Sequence, residues 1–99
     1  MVFKLVKVAG QSMSPTLEDG DYVLTKKPRL YQAGLLYVIK HIDLGRTIKR
    51  LEHVENKRYF FIGDNPKAST PASLIGCVEQ NRIVGQVVWV IGPKGVRRP

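Results

Sequence analysis

The chain reads as a mainly β, single-domain protein with a coiled antiparallel sheet that approaches a barrel. Three observations predict this. Its 99 residues suit one compact unit, and 43% of them are hydrophobic, enough to exclude disorder. Its apolar residues gather in short runs rich in valine, isoleucine and aromatics, separated by glycine, proline and asparagine. No stretch carries a convincing amphipathic helical period, and no internal repeat is found.

Val2 to Val8 is β-branched and aromatic, the composition of a first strand. "AGQSMSPTLEDGD", Ala9 to Asp21, then has the polar, Pro- and Gly-containing character of a loop. Tyr22 to Thr25 is a second short strand, and "KKPRLYQAG" after it is a loop by composition. Leu35 to Ile42, "LLYVIKHI", is nearly continuous in apolar character, which predicts a strand buried on both faces.

Asp43-Leu44-Gly45 is a turn signal. "RTIKRLEHV" and "YFFIG" then form a hairpin about Glu55-Asn56-Lys57. Alternation puts Thr47, Lys49 and Leu51 on one face and Ile48, Arg50 and Glu52 on the other, a mixed pattern that does not say which is buried. Asn65 to Ser73 is a loop, Arg82 to Ile91 the last strand, and "GPKGVRRP" a frayed basic tail. The organisation expected is a domain over 1–92 and a tail over 93–99.

Sixteen Lys and Arg against eight Asp and Glu give a net charge of +8, which attracts anionic partners without choosing among them. Cys77 is the single cysteine, so neither an intrachain disulfide nor a cysteine zinc site is expected, and its residue type predicts a small buried hydrophobe. His41 and His53 lack companions at metal-ligand spacing, so neither a metal nor a cofactor is expected. Lys4 and Lys7 interrupt the N-terminal apolar run, which therefore fits neither a secretory signal nor a membrane span of about twenty apolar residues.

The polar loop contains Ser12, and a serine hydroxyl becomes a good nucleophile only when a base takes its proton. His41 and His53 occupy ordinary strand positions. A lysine can serve if burial brings its pKa down from about 10.4 toward neutrality, a shift of roughly three units. Most lysines lie in charged or loop segments, whereas Lys49 lies in a strand between Ile48 and Arg50, close to Leu51. Its local pattern alone favours a lysine snorkelling to solvent.

"GQSMSPTLEDGD", then "IKR" at Ile48 to Arg50, then "GDNPKAS" at Gly63 to Ser69 resemble, in order and kind of spacing, the successive boxes of the type I signal peptidase family of Ser/Lys serine proteases. "IVGQV" is similar to that family's closing strand. The resemblance implies a signal-peptidase catalytic core without a transmembrane helix and a serine endopeptidase activity. It makes Ser12 the nucleophile, Lys49 the general base, and Ser69 the hydrogen-bond partner that holds the lysine. Met13 would line the substrate pocket, with Gly10 and Gln11 supporting the oxyanion site beside the Ser12 N–H. Some relatives use a serine hydroxyl at the position of Gly10. Pro15, Gly20 and Asp21 complete the first box, while Gly63, Asp64 and Asn65 shape the turn supporting the lysine strand.

Two departures narrow the resemblance. The third box usually continues into an Asp-Ser-Arg element, replaced here by Thr70-Pro71-Ala72-Ser73-Leu74, so a supporting ion pair is expected to be missing. Membrane signal peptidases carry an anchoring helix before the serine, and eleven residues precede Ser12. The subgroup resembled is that of soluble nickel-type superoxide dismutase maturation proteases, which implies a protein substrate with a cleavable N-terminal segment. The location implied is cytoplasmic or soluble, with at most weak peripheral attachment to anionic membrane.

Two other readings compete. A self-cleaving LexA-like peptidase domain shares the Ser/Lys pair and a related β fold. A basic β-barrel that binds nucleic acid without catalysis would use the charge together with Tyr22, Tyr31, Tyr37, Tyr59 and Phe60, but it leaves the three boxes unexplained, so nucleic acid is not the expected partner.

Overall fold

A computed structural model describes residues 2–68 and 75–99. Among the described residues there are eight strands: β1 (Phe3–Lys7), β2 (Tyr22–Lys26), β3 (Leu36–His41), β4 (Gly45–Glu55), β5 (Arg58–Ile62), β6 (Cys77–Val78), β7 (Ile83–Gly92) and β8 (Gly95–Arg97), with a short 3-10 turn at Gln80–Arg82. The strands form one antiparallel sheet in the order β1-β2-β7-β3-β4-β5-β6, with β8 added alongside β7. The sheet does not close into a barrel, and the mainly β, single-domain expectation holds.

Strand β3 lies at the centre because both its faces are apolar. Leu36 and Val38 join one cluster with Val8, Met13, Leu17, Val23 and Val90. Tyr37 and Ile39, pointing the other way, join a second with Leu51, Tyr59, Phe61 and Ile83. At about 25 cal/mol per Å² of apolar area, each buried aliphatic or aromatic side chain contributes roughly 1.5–3 kcal/mol, so the two clusters supply most of the drive to fold. Close strand contact is also required: a Cβ on Gly85 in β7 would lie 3.2 Å from the Cβ of Thr25 in β2.

The β4–β5 hairpin turns at Asn56 and Lys57, both in the left-handed region at φ 51° and 62°, with Glu55 paired to Arg58. Such two-residue turns match the twist of the flanking strands. The β4–β5 register shifts between Leu51 and His53. This bulge ends the strict alternation that would otherwise continue past Leu51, and residues 52–54 are all exposed.

Two expectations are corrected. The basic tail is not frayed: Gly95–Arg97 folds back on β7, with Val90 opposite Arg97. Cys77 is exposed, because it lies on the two-residue edge strand β6 and not in the core.

Candidate active site

The loop over residues 9–20 joins β1 to β2, and its neck is closed by two backbone bonds: the Val8 N–H donates to the Asp21 carbonyl at 2.7 Å, and the Gly20 N–H to the Val8 carbonyl at 2.9 Å. Inside the loop, Ser14 N–H donates to the Gln11 carbonyl and Leu17 N–H to the Met13 carbonyl, winding residues 11–17 into consecutive turns. Met13 and Leu17 drop into the core and anchor those turns. Gly10 holds φ +83°, and its N–H donates to the Asp19 carboxylate at 2.7 Å. A side chain at Gly10 would have to adopt a conformation that non-glycine residues avoid. The expected support from Gly10 is therefore conformational, since its amide already serves Asp19.

Lys49 comes from β4, where the register sets it opposite Tyr37. The residue is 4% exposed. Burial disfavours its charged form and lowers its amine pKa below the usual lysine value. Ser12 and Lys49 line the same two cavities, of about 170 and 280 Å³. Val6, Val8 and Met13 give the smaller an apolar wall. Met13 thus has two roles, core residue and cavity wall. Thr47 lines both cavities, and its buried hydroxyl has no hydrogen-bond partner among the described residues.

The third box fastens the first. The Asn65 N–H donates to the Ser12 carbonyl at 2.9 Å, and the Asn65 side-chain amide donates to the Gln11 carbonyl at 3.0 Å. The Asp64 N–H donates to the Met13 sulfur at 3.4 Å. The Asp64 carboxylate accepts from Thr16 Oγ1 at 2.6 Å and receives the Arg50 guanidinium in a two-pronged pair at 2.8 and 2.6 Å. Arg50 also donates to the Gly34 carbonyl. The pair lowers the Asp64 pKa below the usual carboxylate value and raises that of Arg50. Gly63 is buried at the head of this turn.

Arg50 adjoins Lys49 in sequence but belongs to the opposite face of the strand, so one element carries both the buried amine and the bracket that ties the boxes together. Ser69 lies outside the described residues, as do Thr70 to Leu74, where the Asp-Ser-Arg element is replaced. The expected want of a supporting ion pair concerned those positions; the pair that braces the described site is Arg50–Asp64. Thr16, Thr47 and Arg50 were not singled out in the sequence. The signal for Arg50 was present in its position beside Lys49 and in the single carboxylate of "GDN".

Asp21 is buried, and its carboxylate accepts from the Glu18 N–H at 3.0 Å. Arg97 approaches it at 3.7 Å and donates to the Thr16 carbonyl at 2.9 Å, which brings β8 against the serine loop. Pro15 follows Ser14 within that loop and is exposed.

Neither histidine reaches this site. His41 accepts the N–H groups of Asp43 and Leu44 on Nδ1, so Nε2 carries the proton that it donates to the Ile75 carbonyl. His53 stacks on Phe60. Among the described residues no group of three or more His, Cys, Asp or Glu could hold a metal ion. Tyr37 and Tyr59 lie in the core with Tyr31 packed against both, which removes them as platforms for bases.

A β domain of this shape, with a serine loop bracketed beside a buried lysine, falls within a known class. Residues 3–88 match the Peptidase S24-like family, and the chain belongs to it. The family is one of serine-type peptidases. No curated protein matches the chain. No helix among the described residues is long and apolar enough to cross a membrane.

Proposed function

We propose that this chain is a serine endopeptidase in which Ser12 is the nucleophile and Lys49 the general base. The observation that carries the reading is the buried amine of Lys49, lowered in pKa by desolvation, lining the same two cavities as Ser12. The neutral amine takes the Ser12 hydroxyl proton as Oγ attacks the substrate carbonyl. The resulting ammonium returns that proton to the leaving amine as the C–N bond breaks. Water, deprotonated by the same amine, then releases the acyl group. The Ser12 N–H is the donor offered to the developing oxyanion, and the bonds from Asn65 to residues 11 and 12 hold that peptide in place. Ser69 would hold the lysine toward Ser12.

The substrate proposed is a protein with a removable N-terminal leader. The resemblance of the three boxes favours the precursor of a nickel-type superoxide dismutase. The family match also supports a second reading, self-cleavage in the manner of LexA-like proteins. Incubating the purified chain with that precursor tests both. Cleavage of the added precursor, with a rate proportional to enzyme, supports the first. Concentration-independent scission of the chain itself supports the second. In either case Ser12→Ala and Lys49→Ala should lose about 10³-fold or more in rate while the fold is retained. Lys49→Arg should be equally inactive because a guanidinium keeps its proton. Retained cleavage by any of these variants overturns the dyad.

A further inference from the structure

A second hollow, larger than either cavity beside Ser12, lies elsewhere on the described structure. A groove of about 650 Å³ opens at the far end of the β1–β2 pair, lined by Val2, Lys4, Lys26, Lys27, Tyr31 and Ile83 among others. A neighbouring hollow of about 390 Å³ shares Val2, Lys26 and Lys27 and adds Arg29. Four cations therefore surround an apolar floor, with no Asp or Glu in either lining. None of the four forms an ion pair among the described residues.

The position of this groove gives it meaning. Val2, just before β1, and Lys4 on it line the groove, while Val6 on β1 and Val8 just after it line the cavity of Ser12 together with Lys7. Alternate residues of an extended segment share a face, so Val2, Lys4, Val6 and Val8 carry one face of the β1 segment from the groove to the cavity. At about 3.3 Å per residue, Val2 and Val8 are roughly 20 Å apart, the reach of six extended residues. One extended polypeptide is long enough to reach both hollows.

We propose that the groove is an exosite for an acidic, apolar-bearing segment of the substrate polypeptide, about six residues from the bond cut at Ser12. This rests on the peptidase reading above. A membrane surface fits less well, because Ile83 in the lining is buried and Tyr31 is packed against the core. Val2 and Val84, which are exposed, are the residues a bilayer would take up, and the vesicle arm of the test reads them. Nucleic acid fits less well, because Tyr31, the aromatic of the groove, is packed against Tyr37 and Tyr59.

The test uses a fluorescent short peptide alternating glutamate with leucine, and its lysine–leucine counterpart, with binding read by anisotropy. The intact protein should bind the acidic peptide and not the basic one, more weakly as salt rises. Lys4→Glu/Lys27→Glu/Arg29→Glu, all exposed positions, should lose about tenfold or more in affinity with an unchanged melting temperature. The milder glutamine triple should lose less. Appending the acidic segment to a cleavable substrate should lower KM for the parent and not for the charge-reversed variant. Equal binding of the two peptides, or unchanged affinity after charge reversal, overturns the proposal. So does binding of phosphatidylserine vesicles or a single-stranded oligonucleotide in place of the acidic peptide. Ser12→Ala should bind the acidic peptide like the parent; if it also still cleaves, the catalytic assignment fails while the exosite stands.

Discussion

Lys49 is at once a buried amine that the fold holds at a cost and the residue its proposed chemistry needs. A buried amine is held in surroundings that disfavour its charge, so the folded pKa lies below the unfolded value near 10.5. Between those two values the unfolded chain binds more protons, and stability must rise with pH across that window. Lys49→Met, similar in shape and uncharged, should therefore be inactive yet more stable near neutrality, by about 1–2 kcal/mol. That advantage should shrink toward zero as pH passes 10.5, as thermal melts over a pH series would record. In the parent enzyme the rate should climb on the alkaline side as Lys49 loses its proton, with a midpoint below the ordinary lysine value. A midpoint at that ordinary value would contradict the assignment.

At the level of elements, the site is a loop and a strand joined by a bracket. Asp64 links Arg50 of β4 to Thr16 of the serine loop. Asp64→Asn keeps the size but loses the charge, and should cost about 1–2 kcal/mol, since the Arg50 side chain is one-third exposed and water screens part of the pair. It should also lower kcat about tenfold or more by loosening the Ser12 turn, with KM changed less. Steady-state kinetics separate the two. The strands themselves were legible because β1, β3 and β7 carry continuous or alternating apolar runs, and the Asn56-Lys57 turn stands where Asn and a charged neighbour announced it. β6 and β8 were not legible, since two or three residues carry no period and their pairing is decided by β5 and β7. The burial of Lys49 was equally hidden: its neighbours in sequence include Arg50, and the groups around it, the β3 partner Tyr37, the serine loop and Val6 and Val8 among them, are distant in the chain.

For the whole molecule, charge and core act separately. The Asp64 carboxylate, held below its usual pKa by Arg50, contributes stability that is present above pH 3.8 and is lost as the pH falls through its lowered folded value. Acid titration followed by circular dichroism should show this loss, and Asp64→Asn should abolish that part of it. The two apolar clusters meet across β3 and so are expected to melt together. Phe61→Ala, 24 residues from Tyr37 in the chain but packed edge-on to it at 6.1 Å, should cost about 3–5 kcal/mol and lower one transition without splitting it.

Arg97 reaches back 81 positions to the carbonyl of Thr16. In a chain made from its N-terminus, the serine loop is made before β7, which pairs with β2, and before the arginine that clasps the loop. The loop that presents Ser12 thus receives its final fastening only when synthesis has passed residue 97. Nascent chains stalled short of that point should bind no active-site serine reagent, which would keep an immature peptidase from cutting its neighbours.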